Sequence, residues 1–500
     1  MAGISALVAS RGSSKSTAFK KKLYQYRPIA DWTIQTQRTK KRTRAEPCDP
    51  LSLQRGVRQL LADKVSGNLV GLWLLIPEHL RLGTWDLLCG WSKQPTERVE
   101  PRLAMQMVHE AALCSTGLRQ QRSLSQRGFE LANGLPFVAS DTAIHTLLAE
   151  HTVAGAQRLQ VALGRIRRAS GDYDGKLLAI DPHRTPSFSK RQMRRFRDDQ
   201  QSRPYKVAQT FFALDADTHQ PVCFTTATSS RTATVAAIEL LELAAEILDC
   251  GGPSPRSENP TPHPKEILVL ADMEHYTTEL FGHIRRNTPF DLLVPMKNDR
   301  SLRRQLLALA PENFTRRWAG FATTKQPYRM SHGVEESYIQ FVQRTGETPR
   351  EYRFGAFLST ADRDDVDILT RDYPKRWHVE EFFNAHQALG WNRAGTLNLN
   401  IRYGQMTMAL IAQAAIQQLR CRLGEPYSGW DATHLAKSLL GGLEGDIRVC
   451  DDTIVVTYYN APDAGQLRYH YEGLPDRLQS EHIDPHIPWL YGFKLDFRFR

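Results

Sequence analysis

Between residues 175 and 296 the chain alternates short apolar runs with helix signals, and this alternation restricts the fold more than any other feature. Lys176 to Asp181 (KLLAID) and Glu266 to Asp272 (EILVLAD) are apolar runs that each end in aspartate. Tyr205 to Leu214 and Pro221 to Thr228 read as two further strands across a polar turn at 215–220, and Phe290 to Pro295 as a fifth. Thr232 to Leu248, dense in Ala, Leu and Glu, reads as a helix, as does Tyr276 to Arg286; a Pro/Gly/Ser linker fills 251–264. Three strands, a helix, a strand, a helix and a strand make an α/β unit with a mixed sheet. Open sheets of this kind gather ligands at the carboxyl ends of their strands. Asp181 and Asp272, on neighbouring strands, would then bring two carboxylates within reach of one hard cation. Either aspartate alone also suits a helix N-cap.

Around this unit the pattern changes. Residues 1–46 form a basic arm in which eleven Lys and Arg residues face only Asp31 and Glu46. Such a run reads either as a solvated tail or as a phosphate-holding arm. Residues 47–174 are helical, with apolar positions recurring at three and four, as in Leu103, Met107, Ala111 and Cys114. A short helix is expected over Ser123 to Asn133, and Ser140 or Asp141 is expected to cap another that runs through His151. With Arg119, Arg122 and Arg127 exposed these helices would read DNA as a helix-turn-helix; otherwise they form a plain bundle.

Residues 297–368 read as short strands with polar turns, clearest at Tyr338 to Gln343 and Tyr352 to Leu358, and as a mostly β segment. Residues 369–425 hold a helix over Tyr373 to Gly390 and a long apolar helix over Arg402 to Leu423. The region 426–500 is irregular and aromatic, with strands expected at Thr453 to Tyr459 and Gln466 to Tyr471.

The formal net charge of +11 points to a polyanionic partner. No apolar run approaches the ~20 residues of a membrane span, and no basic amphipathic helix or lipidation signal speaks for a membrane surface. Met1 to Ser10 lacks the basic start of a signal peptide. The seven cysteines are scattered, with no Cys-x-x-Cys, which predicts neither a disulfide framework nor a zinc site. His482 and His486 are read as surface histidines, because Pro485 and Pro488 break any helical ligand pair.

The stretch YPKRWHVEEFFNAHQALGW, residues 373–391, adds a third carboxylate. At about 100° per residue, with Tyr373 at zero, Arg376 falls near 300°, Gln387 near 320° and Glu380 near 340°. Glu381 falls near 80°, so Glu380 is the better ligand. The same stripe could be an ordinary polar helix face with an Arg376–Glu380 pair at i,i+4.

These residues carry a resemblance. Tyr-x-x-Arg-Trp-x-Val-Glu-x-x-Phe resembles the Tyr-Arg-Glu-Lys signature of insertion-sequence DDE transposases, matching at Tyr373, Arg376 and Glu380. The family's Lys is Gln387 here, with His386 beside it; Arg393 or Lys297 are the candidates to replace that phosphate contact. The resemblance spans about 175–423 and implies an RNase H-like core in two parts, 175–296 and 369–425, with the mostly β segment inserted between them. It implies Asp181, Asp272 and Glu380 as catalytic ligands of two Mg²⁺ ions, with Mn²⁺ as a substitute. It also implies that the partners are double-stranded DNA, as transposon terminal inverted repeats and target, and a second copy of the chain in a dimer or higher oligomer. The setting it implies is a prokaryotic cytoplasm near the nucleoid.

Water would nick the transposon end, and the freed 3′-hydroxyl would then join target DNA, by in-line displacement; a hairpin intermediate is an open alternative. Tyr373 and Arg376 would hold the phosphate. A basic cluster after the first aspartate, with His183, Arg184, Lys190, Arg191, Arg194 and Arg195 among its members, reads as DNA-backbone contact or as a solvated loop. The rival readings are an RNase H-like nuclease without strand transfer and a DNA-binding derivative without catalysis.

Overall fold

A computed structural model describes residues 49–500 except 68, 95–97, 116–123, 125, 188–194, 198–202, 229–230, 250–264, 331–335, 392–395 and 397. The basic arm, the linker at 251–264, and Lys190, Arg191, Arg194 and Arg393 lie outside the described residues.

The helical N-terminal region contains α1 (Pro50–Leu61), the short strand β1 (Val65–Gly67), α2 (Ile76–Arg81), α3 (Thr84–Ser92), α4 (Glu100–Ala112), α5 (Arg127–Ala132), α6 (Asp141–Glu150) and α7 (Val153–Ala169). Ser140 caps α6 as expected: its hydroxyl accepts the Ala143 N–H at 3.3 Å. Thr152 caps α7 in the same way at 3.1 Å. α4 buries every residue from Pro101 to Ala112. Burial all round is the mark of a helix inside a packed layer rather than one presented to a DNA groove. Arg127 is ion-paired to Glu130 at 2.7 Å, while Arg119 and Arg122 fall outside the described residues.

The predicted α/β unit forms as β2 (Leu177–Pro186), β3 (Val207–Asp215), β4 (Gln220–Thr228), α8 (Ala233–Leu248), β5 (Ile267–Ala271), α9 (Thr278–Asn287) and β6 (Phe290–Pro295). In the sheet these strands lie in the order β4-β3-β2-β5-β6. β3 runs antiparallel to both its neighbours, and β2, β5 and β6 are parallel. This is a mixed sheet flanked by helices, the arrangement expected of the first part of the core.

Residues 297–368 hold one helix the sequence reading did not foresee, α10 (Arg300–Leu307), which Asp299 caps by accepting the Leu302 N–H at 2.8 Å. They then give β7 (Thr315–Trp318), β8 (Phe321–Tyr328), β9 (Tyr338–Thr345) and β10 (Arg353–Ser359). These strands are not a separate sheet. β10 pairs antiparallel with β6, so among the described residues the core sheet continues as β6-β10-β9-β8-β7 to nine strands.

The chain then supplies α11 (His378–His386) and the 25-residue α12 (Leu399–Leu423). Two helical layers therefore sandwich the sheet. Leu178, Ile180, Phe211, Val269 and Ala271 pack under α8 and α9 against Leu240, Leu241 and Phe281. On the opposite face Phe212 meets Phe224, Phe382, Phe383 and Trp391 with ring centroids 5.0–5.8 Å apart. Each such ring, taken from water, contributes about 1.5–3 kcal/mol.

The last segment folds as β11 (Gly445–Cys450), β12 (Thr453–Tyr458), α13 (Ala464–Tyr471), α14 (Leu474–Ser480) and β13 (Lys494–Phe499). The strand expected at Gln466 to Tyr471 is a helix: Leu467 and Tyr471, four apart, are buried while Tyr469 between them is 70% exposed. β13 was not anticipated, although Leu495, Phe497 and Phe499 alternate into the core. β1 pairs with β11 to complete a second sheet in the order β1-β11-β12-β13. Residues 54–171 and 426–500 are thus joined. The fully buried Glu78 of α2 accepts from Arg81 at 3.1 Å, from Arg422 of α12 at 3.1 Å and from the Tyr471 hydroxyl at 2.9 Å.

Candidate active site

Strand parity decides where the two aspartates point, because successive side chains leave opposite faces of a sheet. Leu178 and Ile180 of β2, and Val269 and Ala271 of β5, lie under α8 and α9. One residue further along each strand the side chain turns to the other face, and those residues are Asp181 and Asp272. The parallel register ends with Ile180 beside Ala271, so the aspartates are the next two residues side by side.

Asp181 is not the end of its strand as the sequence suggested, because β2 continues to Pro186 with β3 alone beside it. The extension tolerates Pro182 and Pro186 for a geometric reason. The Leu177 carbonyl and the Ser187 N–H bond toward the β3 side, so odd-numbered residues pair with β3. The even-numbered prolines face the side from which β5 has ended, where no ladder donor is needed.

α11 lies on the aspartate face. His183, of the same parity as Asp181, stacks on Phe383 with ring centroids 4.4 Å apart. Arg376 stands between acids from two elements: Nη1 is 3.4 Å from Asp181 Oδ1 and Nη2 is 3.4 Å from Glu380 Oε1. The Tyr373 hydroxyl donates to the Ala271 carbonyl at 3.5 Å, and its ring meets Phe357 of β10 edge-on at 4.7 Å. The structure thus brings Asp181, Asp272, Tyr373, Arg376 and Glu380 together.

The expected continuous helix over Tyr373 to Gly390 is divided. Tyr373–Trp377 is a tight 3₁₀ turn, α11 ends at His386, and Gln387–Leu389 is another 3₁₀ turn before Gly390 at φ 115°. The 100° stripe therefore does not extend through Gln387. Among the described residues no hydrogen bond or ion pair joins Gln387 to the three acids.

The electrostatics separate the two aspartates. Burial first, and then the charge of Asp272, push Asp181 up to about 7, with Arg376 only partly offsetting them. Burial also pushes Asp272 up, but His275, through its hydrogen bond and charge, and Arg376 outweigh it and hold Asp272 below its ordinary value. Asp272 Oδ1 accepts from His275 Nδ1 at 2.6 Å and from the Glu274 N–H at 3.1 Å. Both bonds fall on Oδ1, which fixes the carboxylate while Oδ2 carries neither. Burial, first among its causes, drives Tyr373 up to about 12, so its hydroxyl keeps its proton and can donate.

The acids remain accessible, with side-chain exposures of 16% for Asp181, 26% for Asp272 and 38% for Glu380. Three oxygen donors against one nearby arginine form a set that fits a hard divalent cation, whose charge would favour the ionised form of all three.

The remaining predicted residues are spread around this centre. Arg184 is ion-paired to Glu274, and its guanidinium lies over the Phe196 ring at 4.2 Å. Arg195 is exposed and reaches the Pro204 carbonyl at 3.5 Å. Lys297 is exposed two residues beyond the carboxyl end of β6. His275 and Glu274 were missed. The available signal was Asp-x-x-His directly after an apolar run, which lets the capping aspartate meet a histidine one turn on.

Fold and site together define a class: a mixed-sheet α/β protein with three clustered carboxylates and an arginine at one face. Residues 172–414 match the family model for the transposase DDE domain, a span that includes Asp181, Asp272, Tyr373, Arg376 and Glu380. The match supports a DDE-type transposase, a family that generally uses divalent metal ions. No curated protein matches the chain. Among solved structures it is similar to a cryo-EM structure of the piggyBac transposase synaptic complex with hairpin DNA, at 12% identity and a TM-score of 0.36, over 73% of this chain and 79% of that one.

Proposed function

We propose that the protein is a DNA transposase that cleaves transposon ends and transfers their 3′-hydroxyls into target DNA, with Asp181, Asp272 and Glu380 as its catalytic ligands. The observation that carries the reading is the meeting of acids from two adjacent parallel strands and a later helix around one arginine, inside the segment that matches the transposase domain. Divalent cations bound there, two Mg²⁺ with Mn²⁺ as a substitute, would activate the attacking oxygen and stabilise the leaving one.

The chain's own residues do the rest. His275 and the Glu274 N–H orient Asp272. Arg376 presents a planar fork and Tyr373 a protonated hydroxyl, both suited to holding a phosphodiester beside the acids. Arg184, Arg195 and Lys297 are offered as contacts for the DNA backbone, and Gln387 stands where the signature carries lysine. The net charge of +11 favours duplex DNA, both transposon end and target, as the partner. On this reading a dimer or higher oligomer of the chain pairs two ends.

A pre-cut test separates transfer from hydrolysis. Given an oligonucleotide duplex of the element's own terminal sequence, already nicked to expose its 3′-hydroxyl, and a supercoiled target plasmid, the protein with Mg²⁺ joins the two. Nicked or linearised plasmid without any joined product would instead establish a nuclease. Retention of the duplex with no product would leave a DNA-binding derivative.

A further inference from the structure

A second cluster of ligand-type side chains lies outside the acid centre and is unused by the proposed chemistry. The β3–β4 turn, residues 216–219, docks on the start of α11. Asp215 Oδ1 shapes the turn by accepting the N–H groups of Asp217 at 3.0 Å and Thr218 at 2.9 Å. His219 closes the turn in the left-handed region at φ 59°. Lys375 is ion-paired to Asp217. His378 Nδ1 meets the Ala216 carbonyl at 2.6 Å. A carbonyl only accepts, so Nδ1 bears the hydrogen and Nε2 of the neutral ring carries the free lone pair.

The His219 and His378 rings are stacked, with centroids 3.8 Å apart, and Glu381 lies one turn further along α11. One ligand atom from each of His219, His378 and Glu381 falls within 4.8 Å of the others.

We propose that His219, His378 and Glu381 bind a transition-metal ion of the Zn²⁺ class, one ligand coming from the β3–β4 turn and two from α11. Two imidazole nitrogens and one carboxylate are the donor set that Zn²⁺ takes, with a fourth position for water, whereas Mg²⁺ prefers oxygen alone. The His378 Nδ1–H bond to a backbone carbonyl is the outer-shell contact that fixes a metal-binding imidazole. Ligand atoms on a tetrahedral Zn²⁺ sit about 3.3 Å apart. Side-chain rotation closes the remaining gap, since His219 and Glu381 are exposed. Burial and the neighbouring His378 both lower the pKa of His219, favouring its neutral ligand form. The ion would clamp the turn to the helix that carries Glu380, adjacent to Glu381. The sequence reading found no such site because its ligands come from two segments far apart in the chain.

The test uses untagged full-length protein carrying Asp181→Asn and Asp272→Asn, so that the acid centre cannot contribute. Zn²⁺ is titrated in competition with a chromophoric chelator, and Co²⁺ is then substituted and its visible absorption recorded. One equivalent of Zn²⁺ is expected to bind, with a tetrahedral Co²⁺ band and a rise in Tm that Mg²⁺ does not produce. His219→Ala, with its metal-free Tm and circular dichroism recorded beside the parent's to confirm that it is folded, weakens Zn²⁺ by at least about tenfold and abolishes the band. Affinity unchanged in His219→Ala and in His378→Ala, or no Zn²⁺ bound by the parent, would overturn the proposal. Neither result depends on whether the protein moves DNA.

Discussion

At the scale of the residue, Asp181 and Asp272 show how neighbours divide two like groups. They emerge side by side from parallel strands, yet His275 bonds Asp272 and burial is left to dominate Asp181. In metal-free protein this has a consequence for stability. Asp181 titrates at about 7 when folded against an ordinary value of 3.8. Its folded pKa is raised, so its contribution is fully present below the ordinary value and is lost as pH rises through about 7. Asp181→Asn removes that loss. With chelator present, urea denaturation should find the variant more stable than wild type at pH 8 by up to roughly 4 kcal/mol, with the gain shrinking toward zero near pH 4. An equal gain at both pH values would contradict the account. The helical angle placed Glu380 with Arg376 and Glu381 apart from them, and in the structure Arg376 reaches Glu380 while Glu381 turns toward His219. The role of His275 was not, because a buried partner three residues on looks the same in sequence as a surface one.

At the scale of the element, the strands most readable in the sequence were those buried on both faces. β5 and β6 read as continuous apolar runs because helices cover both sides of them. The continuation of β2 past Asp181 was hidden by Pro182 and Pro186, which argue against a strand until the missing neighbour on one side is known. The tail was misread where period two and period four coincide: Leu467, Tyr469 and Tyr471 fit a strand, but only the first and third are buried.

The element that matters most to the site is α11, whose position rests on aromatic packing. Phe383 sits between Phe212 at 5.0 Å and His183 at 4.4 Å. Phe383→Ala should cost about 3–5 kcal/mol in chemical denaturation. It should also reduce DNA cleavage while leaving duplex binding near wild type, since it loosens Glu380 and not the basic surface. A loss below about 1 kcal/mol would mean that α11 is held elsewhere.

At the scale of the whole molecule, the first and last parts of the described chain share a layer. β1 completes the C-terminal sheet, and Trp489 Nε1 donates to the Ala132 carbonyl at 2.9 Å. Long-range pairing of this kind leaves no local signature, so the sequence reading set 47–174 and 426–500 apart. Glu78 joins α2, α12 and α13. Glu78→Ala leaves the buried Tyr471 hydroxyl without its acceptor and Arg81 and Arg422 with Glu481 alone, and should destabilise by about 1–3 kcal/mol. It should do so in a single cooperative transition followed by both circular dichroism and tryptophan fluorescence. A separate early transition for the C-terminal sheet would show that the layer is not one unit. Among the described residues no helix is long and apolar enough to cross a membrane.

The central claim is that Asp181, Asp272 and Glu380 act together on DNA, and the most direct measurement is excision and joining from a plasmid that carries the gene's own flanking ends. Wild type with Mg²⁺ should yield excised element and strand-transfer products. Asp181→Ala, Asp272→Ala and Glu380→Ala, each folded by circular dichroism and each still retaining the ends in a gel shift, should yield neither, as should wild type in EDTA. Activity equal to wild type in any one of the three variants would contradict the assignment of that acid and with it the account of the site.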